Sequence, residues 1–501
     1  MARYVMASRR AGKFHETEKR AARDSLEKAF SRHFEQQVSG VSRSKPQRDI
    51  DRQVLIFEAE PAEVAAKRAE LPQDVILEPE ILHYPAVALP MDLAHTRFDA
   101  VTQPSVLGQG RQLQVTVQGN GANLEGAQIT LFLRGFGGRS GKREGRTAAN
   151  GQVNFAFSSF WTPAALIAAP AGNFWSIVVR GPVDGMTVHC PPLPQTGPLQ
   201  WWHQVLRQQQ YDARRGEGIR VGVADTGVGP HPNLAHVTSV GAFINNTHDV
   251  HGGADVDEHG SHVCGIIGAR PPQGSTDYAG IAPGVLLSCA RVFPPGAGAN
   301  QADIVNAIDH LSSVEQVDLL NLSLGSLQPS EVERDAIQDA LERGTLCICA
   351  AANDAGPVEY PAAFPAAVAI SALGLEGWGP AGSVTALNYP SEPDRYGLDN
   401  LFLASFSCFG PEIDSCAPGN GIISTVPARY GLQRPYAALD GTSMASPAAC
   451  AALAAILAAA PDYRTLPRNL TRAERARALL RQHARDVGLA AVYQGRGLPQ
   501  T

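Results

Sequence analysis

Hydrophobic and polar positions change their rhythm three times along this chain. In residues 1–90 two periods mix. RYVMASR alternates and predicts a short strand, while Glu16 to Glu35 carries apolar residues at helical spacing among mixed charges. VSGVSR reads as a weak strand and DRQVLIFEAE as a strong one. PAEVAAKRAEL opens on Pro and Glu, which suit a helix N-terminus, and PQDVILEPEILHY returns to extended chain. Two helices among roughly four strands predict a small α+β (ferredoxin-like) domain.

Residues 96–190 alternate strictly. QLQVTVQG, AQITLFLRG, GQVNFAFSS and NFWSIVVRG are separated by Gly and Asn turns, which predicts an antiparallel β-sandwich. LEGAQITLFL and GRTAANGQVNFAF look loosely like Ig-like or transthyretin-like repeats. CPPLPQTGP, from Cys190 to Pro198, reads as a Pro-rich linker. Over 199–501 apolar runs such as GIRVGVADTG, DLLNLSLG and TLCICAAA alternate with the helical patterns ADIVNAIDHLSS and SEVERDAIQDALERG, the second closed by Gly344. Strand–helix alternation predicts an α/β fold with a doubly wound parallel sheet, whose sites gather at the carboxyl ends of the strands.

Composition narrows the class. Charged residues are 18% and hydrophobic residues 44%, which excludes a disordered polar chain and a coiled coil. Lys and Arg total 42 against 48 Asp and Glu, a net charge of -6, so no overall basic field favours nucleic acid. Eight cysteines in 501 residues are too dilute for a disulfide scaffold, and most lie among small or apolar neighbours. The N-terminus brings charges before any apolar stretch of signal-peptide length. The run from Ala445 to Ala460, interrupted by Pro447, reads as a buried Ala-rich helix and not as a membrane span. The expectation is a reduced, cytoplasmic chain without membrane attachment.

Three segments concentrate the chemistry. VADTGVGPHPNL puts Asp225 at a strand end, DEHGSHVCGIIG puts His259 at a Gly-bounded helix start, and DGTSMASPAACAAL puts Ser443 at another. A serine hydroxyl needs a base within hydrogen-bond reach, and the base needs a carboxylate to hold its tautomer. A helix N-terminus at Ser443 adds positive potential where negative charge develops. Singly, the three are a turn aspartate, an exposed histidine and an N-cap serine. Together they follow the order Asp, His, Ser, which is subtilisin's; chymotrypsin and the α/β-hydrolases use other orders, and G-T-S-M-A is not a G-x-S-x-G elbow.

ADTGV, HGSHVCG and GTSMASP resemble the three signatures of the subtilisin-like serine proteases, the subtilases, and the similarity covers about residues 205 to 490. GIAPGVLLSCARVF, NLSLGS, AAANDAG, YPAAFPAAVAISA and FSCFGPEIDSCAPG are similar to further segments of that family. The resemblance implies Asp225 as orienting acid, His259 as general base and Ser443 as nucleophile. It implies an oxyanion hole from the Asn353 amide and the Ser443 backbone N–H. It assigns Ser323, Leu324 and Gly325 to a substrate-lining strand, and Ala350, Ala351 and Ala352 to a wall of the S1 pocket. Ala352 stands where the family usually has Gly. Glu359, before Tyr360-Pro361, falls near the S1 floor and points to a preference for Lys or Arg at P1; the competing reading is a solvated loop glutamate.

His251, Asp255, Asp257, His259 and His262 cluster, but no H-E-x-x-H is present, so a metal site is not assigned. Structural calcium occurs in the family, yet its usual loop after the His helix is replaced here by RPPQGSTDYAG, and calcium stays unassigned. No cofactor is expected. Residues 1–90 resemble the family's inhibitor-type prodomain, which implies an intramolecular inhibitor and self-processing after about Tyr84. A β-domain between prodomain and peptidase departs from the family. Trp161, Trp175, Trp201 and Trp202 suggest either a docking surface or half-buried packing, and Cys264 either a reactive thiol or a core residue. The expected function is a serine endopeptidase acting on protein or peptide substrates; the rival is a regulatory or binding protein on a permanently inhibited scaffold.

Overall fold

The computed structural model describes residues 1–45, 51–90, 93, 99–100 and 110–501. The chain begins with β1 (Ala2–Ser8), α1 (Glu16–His33), β2 (Ser39–Arg43), β3 (Val54–Ala59), α2 (Pro61–Arg68) and β4 (Val75–Pro79). Their sheet has the order β2-β3-β1-β4, with β1 antiparallel to both neighbours. Side chains of β1 and β3 alternate between two buried faces, so both strands are apolar at nearly every position rather than on one face alone. Tyr4, Met6, Leu55 and Phe57 pack with Leu26, Phe30 and Phe34 of α1. Val5, Ala7, Val54 and Ile56 point the other way and join the large core of the C-terminal half. This front sheet is therefore buried on both faces.

Strand β5 (Leu82–Pro85) leaves that sheet altogether. Next come β6 (Asp99–Ala100), β7 (Gly110–Gly119), β8 (Ala122–Asn123), β9 (Gln128–Gly135), β10 (Ser140–Arg146), β11 (Gln152–Ser158), β12 (Trp161–Ala169), β13 (Ile177–Arg180) and β14 (Met186–His189). They form a five-stranded sheet, β13-β12-β9-β10-β6, and a four-stranded sheet of β11, β7, β14 and β8. Leu113, Val115, Ile129, Leu131, Phe155 and Leu166 fill the space between them. Two pairings differ from the antiparallel expectation: β14 runs parallel to β7 and β6 parallel to β10. The reason for β14 is that β13 lies in the opposite sheet, so the chain crosses over before it pairs.

The Cys190 to Pro198 stretch is not a free linker. Leu193 is buried in the C-terminal core, and Phe174 bridges Pro192. Trp175, Trp201 and Trp202 are buried and Trp161 is half-buried, so packing, not a docking face, explains the tryptophans. Trp175 meets Trp378 edge-on, with ring centroids 5.7 Å apart.

The C-terminal half is built on a nine-stranded sheet. Its strands are β15 (Arg220–Asp225), β16 (Thr238–Ile244), β17 (Thr247–Asp249), β18 (Leu286–Arg291), β20 (Leu319–Leu322), β22 (Leu346–Ala350), β23 (Val368–Leu375), β24 (Leu401–Leu403) and β25 (Ile413–Pro418). Short strands β19 (Ala299–Asn300) and β21 (Leu324–Gly325) lie apart from it. The order is β17-β16-β18-β15-β20-β22-β23-β24, with β25 beside β23. Pairing is parallel from β16 through β23 and on to β25, whereas β17 and β24 add antiparallel edges, so the sheet is mixed.

Four helices matter here: α3 (His259–Gly268), α4 (Gln301–Ser313), α5 (Glu331–Glu342) and α6 (Thr442–Ala459). Helix α6 is the Ala-rich run. It is apolar enough and long enough to cross a membrane, but 89% of it is buried inside the protein. All eight cysteines are unpaired and buried, Cys264 among them.

Candidate active site

Asp225 is the last residue of β15, a strand flanked on both sides by parallel neighbours, so its carboxylate is delivered at a carboxyl edge of the sheet. His259 opens α3 and Ser443 is the second residue of α6. All three are almost fully buried. His259 Nδ1 lies 2.7 Å from Asp225 Oδ1. Burial by itself would lower the pKa of His259; the hydrogen-bonded Asp225 carboxylate, together with Asp257 and Asp255, outweighs it, and the net shift is upward. His259 Nε2 has no hydrogen-bond partner. The Ser443 hydroxyl donates 3.0 Å to the carbonyl of Ser323, and it is not hydrogen-bonded to His259.

Thr226 and Asp255 form a frame around the aspartate and histidine. Thr226 Oγ1 donates to Asp255 and accepts from the N–H of Gly260, and Asp255 also accepts from the backbone N–H and hydroxyl of Ser261. His262 points away, its Nε2 shared by the carbonyls of Ile422 and Ala437. Burial pushes His262 down to about 3, so it is neutral and structural. The His/Asp cluster of the sequence is thus divided among separate hydrogen-bond partners. Among the described residues no group of three or more His, Cys, Asp or Glu is arranged to hold a metal.

Asn353 sits across the cleft, its Oδ1 accepting from both the N–H (2.9 Å) and the hydroxyl (3.0 Å) of Thr442. This fixes the amide so that Nδ2 is turned away, buried and unpartnered. A buried donor without an acceptor costs about 1–3 kcal/mol and is kept where something arrives to accept it. Ala352, beside it, has φ of 84°, a conformation that favours glycine and costs an alanine about 1–2 kcal/mol. Its N–H and carbonyl are held by Thr442 Oγ1 and the Cys408 N–H.

The cleft is filled by the chain itself. Strand β5 lies between β19 and β21, antiparallel to both, with Leu324 opposite Pro85 and Gly325 opposite Tyr84. The Ala86 N–H donates to the Ser323 carbonyl (3.4 Å), the Ser443 N–H to the Ala86 carbonyl (3.3 Å), and the Ala88 N–H to the Asp440 carbonyl (2.7 Å). The peptide bond presented to Ser443 is therefore Ala86–Val87. The sequence placed a cut after about Tyr84; the bond lying against Ser443 is two residues further on, set by a pairing register invisible in the pattern.

Beneath Ala86 opens a cavity of about 480 Å³ bordered by Gly325, Ser326, Ala352, Asn353, Asp354 and Glu359. Of the alanine run only Ala352 borders it. Ala350 and Ala351 are wholly buried in and behind the sheet, which corrects their assignment to the wall. Glu359 is 8% exposed, so the solvated-loop reading fails. Burial pushes its pKa up to about 7, and the neighbouring Asp354 carboxyl adds to the shift. Asp354 was not singled out from sequence.

A parallel sheet delivering Asp225, a helix start carrying Ser443, and an extended segment laid across them define the subtilisin-like class of serine endopeptidase. Residues 216–497 match the model of the Subtilase family, more than half of the chain. The Major intracellular serine protease of Bacillus subtilis is 34% identical over 258 residues, covering 48% of this chain and 69% of that protein. Subtilisin Savinase of Lederbergia lenta is 30% identical over 249 residues, 50% of this chain and 79% of its own. The Minor extracellular protease Epr of Bacillus subtilis is 32% identical over 243 residues, 48% of this chain, and the match spans only 32% of that protein's length. The chain belongs to the subtilase family.

Proposed function

We propose that the chain is a serine endopeptidase that first cuts itself between Ala86 and Val87. Asp225 orients His259, His259 takes the Ser443 proton, and Ser443 Oγ attacks the carbonyl carbon. The single observation that carries this reading is the Ala86 carbonyl accepting from the Ser443 N–H, while Ala88 is held by Asp440 on the leaving side. For the attack the Ser443 hydroxyl leaves the Ser323 carbonyl and turns to the free His259 Nε2. The developing oxyanion is met by the Ser443 N–H and the orphaned Asn353 Nδ2. His259 then gives its proton to the Val87 amine, which leaves; water repeats the sequence to free Ala86 and Ser443.

Residues 1–86 act in this reading as an intramolecular inhibitor and folding aid, and the sandwich stays on the enzyme. A parallel sheet of distant segments forms slowly, and a front sheet docked on α4 and α5 stabilises it. The inhibited-scaffold reading keeps one observation of its own, the Ser443 hydroxyl bonded away from His259. A fluorophosphonate probe separates the two: labelling of Ser443 after the cut supports the enzyme, and an unlabelled cut chain supports the scaffold.

Replacing Asn353 with Ala is expected to lower kcat by about 10²- to 10³-fold with little change in KM, the size of effect found for this donor in subtilisin. Steady-state kinetics on a peptide substrate checks it; a fall in KM-governed binding alone would mean that the amide only shapes the cleft. Because the Asp225 carboxylate raises His259 despite burial, the acid limb of kcat/KM is expected above the ordinary histidine range.

Specificity follows from Glu359 and Asp354 at the floor of the cavity under Ala86. The Ala86 methyl fills little of that space, and a Lys or Arg side chain would reach the two carboxyl groups. Glu359 is neutral below about pH 7 and anionic above it, so preference for basic P1 should strengthen as pH rises through that value. Glu359→Gln is expected to reduce kcat/KM for Lys and Arg at P1 by roughly 10-fold or more and to flatten the pH dependence. Cleavage of a P1-varied peptide library that is indifferent to charge, or unchanged in the variant, sinks the preference.

A further inference from the structure

The segment that enters the cleft continues past the Ala86–Val87 bond, and what holds it on the far side is the sandwich. That sandwich is fixed to the peptidase. Val178 N–H donates to the Gly382 carbonyl (2.9 Å) and Val384 N–H to the Ser176 carbonyl (3.0 Å), extending β13 onto the Ile177–Ser383 bridge. Asn173 and Tyr436 exchange two more hydrogen bonds. Along this seam a small apolar cluster forms from Phe132, Ala165 and Ile167 of the sandwich and Val384 of the peptidase, with Val178 against it. Its remaining members are Leu93, which is 6% exposed, and the half-buried Leu89. Counted from Ala86–Val87, these are the third and seventh residues on the leaving side. Between bond and seam, Ala88 is buried and tied to Asp440, whose carboxylate accepts from the Thr385 hydroxyl next to Val384.

We propose that this seam is a clamp for the leaving-side segment: after the cut at Ala86–Val87, Leu89 and Leu93 keep the new N-terminus in the cleft, where it caps the subsites for the leaving half of a substrate. The proposal rests on the self-cleavage reading above. It follows from connectivity as much as from contacts. Asp99–Ala100, only a few residues beyond Leu93 in the chain, already pairs with β10 in the sandwich, so the segment stays covalently joined to a body docked on the enzyme. Such a tether gives an effective concentration on the order of millimolar, which favours the retained segment over a dilute substrate. Departure of residues 1–86 then opens the acyl side of the cleft alone. A target able to displace the segment must bring its own apolar side chains to the seam. The sandwich thereby acquires a role that accounts for its place between inhibitor and peptidase.

Amide hydrogen exchange in the peptide covering Val87 to Leu93 tests the clamp in the full chain, with intact mass followed in parallel. The wild type is compared with Leu89→Asp/Leu93→Asp before and after the cut. Protection is expected to survive the cut in the wild type, and the double variant is expected to exchange at least about 10-fold faster there, with β9 and β23 unchanged. Loss of protection on cutting in the wild type overturns the clamp, as does unaltered protection in the double variant. If β9 or β23 also loosens, Leu89→Ala/Leu93→Ala replaces the aspartates, with the same two deciding outcomes. A wild type that stays at 53.1 kDa marks the failure of the self-cleavage reading, and exchange in the uncut double variant still decides whether the seam holds the segment.

Discussion

With alanine in place of Ser443, the chain is expected to remain whole at 53.1 kDa while the wild type yields a fragment beginning at Val87. On an added peptide substrate kcat should fall by on the order of 10⁶-fold, as removal of the nucleophile does in subtilisin. The effect is large because nothing else replaces the hydroxyl. Ser443 is fully buried, its N–H already faces the Ala86 carbonyl, and His259 Nε2 has no other partner to deprotonate. Water would have to enter a cleft that the chain's own strand occupies. The fold should survive, since the lost hydrogen bond to Ser323 is one neutral contact worth about 1 kcal/mol. N-terminal sequencing and intact mass read the result. Equal masses for wild type and variant would end the self-cleavage reading, and cleavage at another bond would end the register argument.

The second large effect concerns Arg52, whose guanidinium is wholly buried between the front sheet and the peptidase. It donates to both Asp309 oxygens at 2.8 Å and to Asp335 at 2.6 Å. Asp335 also accepts from the backbone N–H groups of Arg10 and Ala11. Arg52→Met is expected to cost about 3–5 kcal/mol, because it leaves the Asp309 carboxylate buried without its hydrogen-bonded cation and Asp335 with only the half-buried Arg9 at 3.7 Å. Denaturant unfolding in the Ser443→Ala background measures it without interference from cutting. Replacing Asp309 with leucine as well should recover only part of the loss, since Asp335 has to stay to accept from the Arg10 and Ala11 N–H groups. A cost under 1 kcal/mol for Arg52→Met would mean that the Arg52 network does not hold the front sheet down. Glu78 adds a separate contact by accepting from Ser330 Oγ and the Glu331 N–H at the start of α5, and His83 adds another to buried Glu333.

What could be read from sequence and what could not divides along a physical line. Asp225, His259 and Ser443 sit in short segments whose local geometry is demanding: a buried strand end and two glycine-bounded helix starts. Such demands leave few sequences that satisfy them, so the segments stand out. Ala86 does not stand out, because backbone pairing with β19 and β21 uses N–H and carbonyl groups that every residue has. Asp354 stayed unseen because its meaning depends on Glu359, folded against it from across the loop. Strand β10 was missed for a different reason. In GKREGR, Lys142, Glu144 and Arg146 face solvent, and the inward position at Gly145 has no side chain; a Cβ there would come within 2.9 Å of Val153. The filling comes from the partner sheet. The tryptophans stayed open between docking and packing because Trp175 is buried against a core that belongs mostly to the C-terminal half.

Strand β5 is a central strand with a two-residue edge on either side, β19 and β21. Once it leaves, those edges face each other across a gap one backbone wide, each too short to template aggregation. Only an extended segment fits such a slot. A helix or a closed loop must first open, at a free-energy cost set by the target's own local stability. The rate at which a folded protein is cut would then track how often one of its segments unfolds, as well as which residues that segment contains. On that view the enzyme grades its targets by local stability.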